Sequence, residues 1–277
     1  MGITSLSKEE VGKHYAGLFA SFTQSIMQYD KEIDALVDLE RSFSLNKEDY
    51  AIATLKARVN TLERVKDVAR AIIDRMVLIA QGMFTPEGGS LKIDKTTVTE
   101  ACGYSGKEID WFDFDAAKVW IYLIENYDGN KGEDESYRQT AKSLVESFYL
   151  KPGAPIRIVN GKTILERSVY IDSFDKKWSK KNIISYNCLE GVSKSITSLR
   201  EFAAWANLAD LYESLTCAHH ALGGYHSEIT SRAVYGGCGI RIVTYLNRYE
   251  YQIEAKVAEQ LMLFLTLYAF PEIQEAA

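Results

Sequence analysis

Chemistry-bearing side chains are sparse in this chain. Its 277 residues contain four histidines and four cysteines. Cys102, Cys188, Cys217 and Cys238 are widely separated and form no Cys-x-x-Cys pair, which excludes compact zinc ribbons and thioredoxin-type redox motifs. In a cytoplasmic chain such cysteines are expected to be reduced and buried. Gly-x-Ser-x-Gly, the P-loop, Gly-x-Gly-x-x-Gly and His-Glu-x-x-His are all absent, so no common hydrolase, nucleotide-binding or metalloprotease signature is present. No apolar run approaches the roughly 18 residues that a membrane span needs. The most apolar stretch, LMLFLTLYAF at 261–270, reads as a buried helix end. The opening MGITSLSKEE has no basic start followed by an apolar core, and position 6 is Leu where myristoylation wants Ser or Thr. A cytoplasmic protein is therefore expected. A net charge of −6 argues against a broadly basic nucleic-acid coat and is too small for a DNA mimic acting by charge alone.

What remains is an ordinary globular balance, 47% hydrophobic and 25% charged, enough for one large domain or two small ones. Ser7 followed by Glu10 makes a capping box before a first helix. A second helix is predicted from about Asn46, because Ile52, Leu55, Val59, Leu62, Val65, Ala69, Ile72, Met76 and Ile79 recur at helical spacing. That stripe suits an intramolecular core or an oligomer seam. TPEGGS at 85–90 is the clearest break, and NYDGNKGEDES at 126–136 reads as a polar loop. After Pro152 the period becomes two. PIRIVNGKTILERSVYI alternates around Asn160-Gly161, a hairpin signal, and SFDKKWSKKNIISYN continues as strand, turn and strand. SLREFAAWANLADLYESLTCAHHAL reads as one long amphipathic helix, with a short helix near Ser227 after it. GIRIVTYLNRYEYQI makes a second hairpin turning at Asn247-Arg248, before a closing helix. The expected fold is α+β: a helical region at 1–84, a mostly helical connector at 85–150, and a domain at 151–277 with two antiparallel hairpins and packed helices.

Three segments are candidates for chemistry. CAHHALGGYHSEITSRAVYGGCGIR at 217–241 holds three of the four histidines. Cys217, His220, His226 and Cys238 form a chemically legal tetrahedral zinc set, but only the first pair has ligand spacing, and the plainer expectation is a helix C-cap at Gly223 with no metal and no cofactor. EIDWFDFD offers Trp111, Phe112, Asp113, Phe114 and Asp115. The alternating carboxylates Glu108, Asp110, Asp113 and Asp115 could bind a divalent cation or form an acid–base pair, and with the aromatics they equally fit a partner-binding patch or a helix start whose acids meet the positive end of the dipole. Tyr245, Tyr249 and Tyr251 on the last hairpin are a packing face or a second partner-contacting face. In FDKKWSKKN, Lys176, Lys177, Lys180 and Lys181 surround Trp178, which suits a solvated tip or contact with phosphates and a base.

From about Ala141 onward, TAKSLVESFYL, PIRIVNGKTILERSVYIDSFDKKW, LREFAAWANLADLYESL and IRIVTYLNRYEYQIEAKVAEQLMLFLTLYAFP follow one another in an order that resembles a phage- and prophage-borne family of unknown function. That family is found beside or fused to DNA methyltransferase genes. Tyr245, Asn247, Tyr268 and Pro271 stand in its aromatic-hairpin and tyrosine-proline positions, whereas Lys176-Lys177-Trp178-Ser179 departs from its Arg-Trp-Gly. The resemblance brings no catalytic residues. It implies a phage or mobile-element protein acting at the contest between phage and host. With the absent catalytic motifs, the long apolar stripe, the acidic-aromatic segment and the tyrosine-rich hairpin, the expectation is a protein that binds a partner without catalysis and forms a homo-oligomer, most concretely an inhibitor of a host defence complex such as a Gabija-type nuclease. The alternatives are a DNA-associated accessory protein using the lysines, or a zinc- or cysteine-dependent enzyme.

Overall fold

The computed structural model describes residues 6–43, 61–106, 109–152, 157–172, 177, 180–223 and 228–270. The chain has an α+β fold and divides into two compact units, one of Met1–Phe84 with Ile93–Gly129, the other of Thr85–Lys92 with Asn130–Ala277. The expected 85–150 connector is therefore shared between the two units. Among the described residues no helix is long and apolar enough to cross a membrane.

The first unit is helical. α1 (Lys8–Phe43) begins where the capping box places it, with the Glu10 carboxylate accepting from the Ser7 amide at 2.8 Å. α2 (Thr61–Phe84) turns Val65, Ala69, Ile72, Ile73, Met76 and Ala80 inward against α1 and α4. Of the described stripe, Val65, Ala69, Ile72 and Met76 are intramolecular core, whereas Leu62 is exposed and Ile79 half-buried. Asn46, Ile52, Leu55 and Val59 lie outside the described residues. α3 (Lys95–Ala101) is short, and α4 (Ala116–Tyr127) completes the packing with Val119, Trp120 and Leu123. The Trp120 indole N–H donates to Lys8 O at 2.6 Å, and Gly12 leaves room for that ring.

Among its described residues the second unit combines a five-stranded antiparallel sheet with four helices. α5 (Asn130–Phe148) starts inside the stretch expected to be a loop. Its inward positions Gly132, Ser136 and Thr140 are small or hydroxylated, so hydrophobic periodicity does not reveal them. β1 (Arg157–Val159) and β2 (Lys162–Ser168) form the expected hairpin. Asn160 and Gly161 both have positive φ, 51° and 73°, as a two-residue type I′ turn requires. The segment expected as one long helix is two, α6 (Tyr186–Trp205) and α7 (Ala209–Leu222). They are divided where Asn207 takes φ 55°, a left-handed conformation that asparagine tolerates better than most residues. Glu228 pairs with Ile183 in an isolated bridge, and residues 228–233 hold no helix.

β3 (Val234–Gly237), β4 (Ile240–Thr244) and β5 (Arg248–Glu254) then form a meander, one strand more than the sequence suggested. Sheet order is β1-β2-β5-β4-β3, with Tyr251 of β5 opposite Leu165 and Ile242. α8 (Ala255–Tyr268) closes the unit against α5, β2 and β5. The core lies between sheet and helices, around Tyr249, Tyr251, Phe202, Phe264, Leu199 and Leu215.

Candidate functional site

The segment 85–92 lies along the α5–α6 pair and lines two grooves in the second unit, one through Pro86–Gly88 and the other through Ser90 and Lys92. It is pinned by polar contacts: Ser136 Oγ donates to Ser90 O at 2.7 Å, and the Gln139 amide accepts from Lys92 N and donates to Lys92 O. Gly88 makes the close approach possible. Its φ is +74°, and a Cβ there would stand 2.6 Å from Ala204 Cβ on α6.

On one side is a cavity of about 560 Å³ rich in hydroxyls, among them Ser143, Ser193, Thr197 and Ser198. Within its lining Thr140 donates to the Glu201 carboxylate at 2.5 Å, with the two residues only 2% and 7% exposed. Ser143 and Ser198 are 2.7 Å apart, and Lys194 meets Glu146 at 2.9 Å on the rim. The other groove, about 540 Å³, is walled by Tyr137, Trp205 and Tyr212 and carries Glu87, Glu133 and Glu213. Neither groove was anticipated from the sequence, because their residues come from helix faces and from a loop far away in the chain. The only local signal is the four-residue spacing of Ser136 and Thr140.

Ser193 Oγ lies 2.7 Å from His219 Nε2, the separation of a nucleophile–base pair. Ser193 sits well inside α6, however, where helical hydrogen bonds already engage the backbone amides, so the helix itself offers no oxyanion donors. The contact is read as a link between α6 and α7. Burial lowers the pKa of His219 below its ordinary 6.5, and the charges of Arg200 and His220 lower it further. A depressed histidine is neutral in the fold, while the unfolded chain takes up a proton once pH drops below that ordinary value. Stability from this group is therefore present above about pH 7 and declines as pH falls through 6.5 toward the folded value. His219→Asn should flatten that part of the stability–pH profile, as measured by urea unfolding across the range. An unchanged slope would assign the decline to other groups.

The segments singled out by sequence fall elsewhere. In the first unit Asp110 and Asp115 act as caps: Asp110 accepts from Phe112 N at 3.0 Å, and Asp115 from Ala117 N and Lys118 N at 2.8 and 3.2 Å. Trp111 and Phe114 are buried, Phe114 against Phe19 with centroids 4.9 Å apart, so they are core and not partner anchors. Only Phe112, Asp113 and Asp115 of that group are exposed.

On the last hairpin Tyr249 and Tyr251 are likewise interior, at 1% and 0% exposure. Alternation puts them on the face the helices cover. The Tyr251 hydroxyl meets Ser195 Oγ at 2.7 Å, and burial pushes its pKa up to about 12. Tyr245 alone remains half-exposed, with the Arg248 guanidinium 4.5 Å over its ring.

Cys217, His220 and Cys238 are exposed and His226 lies outside the described residues. Among the described residues no group of three or more His, Cys, Asp or Glu side chains could hold a metal. Cys217 and Cys238 are free and exposed rather than buried as expected, whereas Cys102 is buried, and Gly223 does cap α7, its N–H donating to His219 O. Lys177, Lys180 and Lys181 are exposed, and Lys176 and Trp178 lie outside the described residues. With the fold and both grooves in view, comparison with family models, curated proteins and solved structures finds no match to this chain.

Proposed function

We propose that this protein acts by binding other protein chains, and that α1 joins two copies of it. The supporting observation is the apolar surface left open along that helix. Leu18, Tyr29, Leu36 and Leu39 are 49%, 45%, 45% and 54% exposed. At 100° per residue Leu18, Tyr29 and Leu36 fall within roughly 20° of one another, with Phe22 and Ile33 beside them. A helix of 36 residues reaches about 54 Å, whereas its buried hydrophobic residues among those described are Val11, Tyr15, Phe19, Ile26 and Val37. A second α1 would cover the remaining stripe by knobs-into-holes packing.

Size exclusion with light scattering should return a dimer or larger oligomer. Leu18→Glu with Leu36→Glu should reduce it to a monomer with unchanged helical circular dichroism. A monomeric wild type at tens of micromolar would overturn self-association. In its most concrete form the partner is a host defence complex, and the protein a phage or mobile-element inhibitor of a Gabija-type nuclease system. The order of motifs after Ala141 supports that context. Mixing with purified defence complexes should give co-elution and loss of phage restriction, and the absence of both would sink it.

A further inference from the structure

The acidic groove beside Gly88 carries a more specific chemistry. Tyr137, Trp205 and Tyr212 supply aromatic walls, and Glu87, Glu133 and Glu213 supply carboxylates, around about 540 Å³ with no basic side chain in the lining. None of these three carboxylates forms an ion pair among the described residues. The volume lies within the range of small-molecule sites, roughly 300–1,000 Å³. Burial raises the Tyr137 hydroxyl pKa, and neighbouring Glu133 raises it further, so the ring stays neutral and its π-face electron-rich.

We infer that this groove is a binding site for a guanidinium group, held by the three carboxylates and stacked on the aromatic walls. A hard metal ion is served by oxygen ligands and gains nothing from indole or phenol faces. A guanidinium uses both features. It is planar and weakly hydrated, it stacks on aromatic rings, and its forked N–H donors match carboxylates. One ring of the groove already takes such a partner from within the chain, since Arg200 Cζ lies 5.2 Å from the centroid of Tyr212. The shape is built rather than incidental. The 86–88 turn reaches α6 only because Gly88 has no side chain, and Asn207 sharply divides α6 from α7 at the groove edge.

The guanidinium can belong to an arginine of a partner chain or to a free small molecule, and two probes distinguish these sources. Agmatine represents the free molecule, and acetyl-Gly-Arg-Gly-amide represents the side chain in a peptide. Titration of the full chain, followed by calorimetry and tryptophan fluorescence, should show saturable binding of at least one probe. Binding of the peptide alone places the guanidinium on a partner chain, and binding of agmatine as well admits a free ligand. The citrulline peptide keeps the shape and loses the charge, so it should bind at least tenfold more weakly. The triple variant Glu87→Gln, Glu133→Gln, Glu213→Gln should weaken binding by tenfold or more without changing the unfolding midpoint by more than a few degrees. The α1 variant Leu18→Glu, Leu36→Glu should bind as the wild type does, which separates this site from self-association. No saturable binding of either probe would overturn the assignment. Equal affinity for the citrulline peptide, or an unaffected triple variant, would do the same.

Discussion

Phe202→Ala should destabilise the second unit by about 3–5 kcal/mol, among the largest losses available to a single truncation in this chain. Phe202 is 0% exposed, and its ring lies 6.3 Å from that of Trp205 and 5.7 Å from that of Phe264. Removing it deletes buried apolar surface and leaves a void that α6 and α8 cannot close without moving the sheet they cover. Urea unfolding should show a lower midpoint with an unchanged slope. Phe202→Leu should retain most of the stability, because it keeps much of the volume. The groove should respond as well. Trp205 packs on Phe202, Phe264 and Tyr268, so its fluorescence should shift in the alanine variant under conditions where the protein is still folded. A loss below about 1 kcal/mol would mean that this ring is not an anchor of the core.

How much of this was legible in the sequence depended on how each element announces itself. The β1–β2 hairpin was readable because Asn160-Gly161 is a turn whose chemistry is local. The β4–β5 hairpin is readable from alternation, but alternation alone does not say which face is covered, and it is the packed helices that make Tyr249 and Tyr251 interior. β3 was not readable, since Gly236 and Gly237 weaken a strand signal and suggest a joint. The break between α6 and α7 depends on Asn207 taking positive φ with no proline or glycine to mark it.

The grooves were missed for a deeper reason. α5 packs partly through Gly132 and Ser136, residues that read as loop, and through Thr140, and the carboxylates beside it look like solvated charge until the fold brings aromatic rings to them. Polar helix faces are where single-sequence periodicity carries least information.

The Thr140–Glu201 pair tests whether that polar face is structural. Thr140→Val keeps the side-chain shape and removes the one hydroxyl that donates to a carboxylate 7% exposed. Leaving such an acceptor without its donor should cost about 3 kcal/mol, because an unsatisfied buried charge loses its hydration with nothing in exchange. Glu201 forms no salt bridge among the described residues, so no cation takes over the role. Removing the charge at the same time should recover most of the loss. Thr140→Val with Glu201→Met should be more stable than Thr140→Val alone, giving a favourable coupling in the double-mutant cycle. The opposite result would also be informative about the groove. If Thr140→Val costs under about 0.5 kcal/mol, water entering from the hydroxyl-lined cavity satisfies the carboxylate in place of threonine. The pair would then be part of a hydrated surface and not of the core.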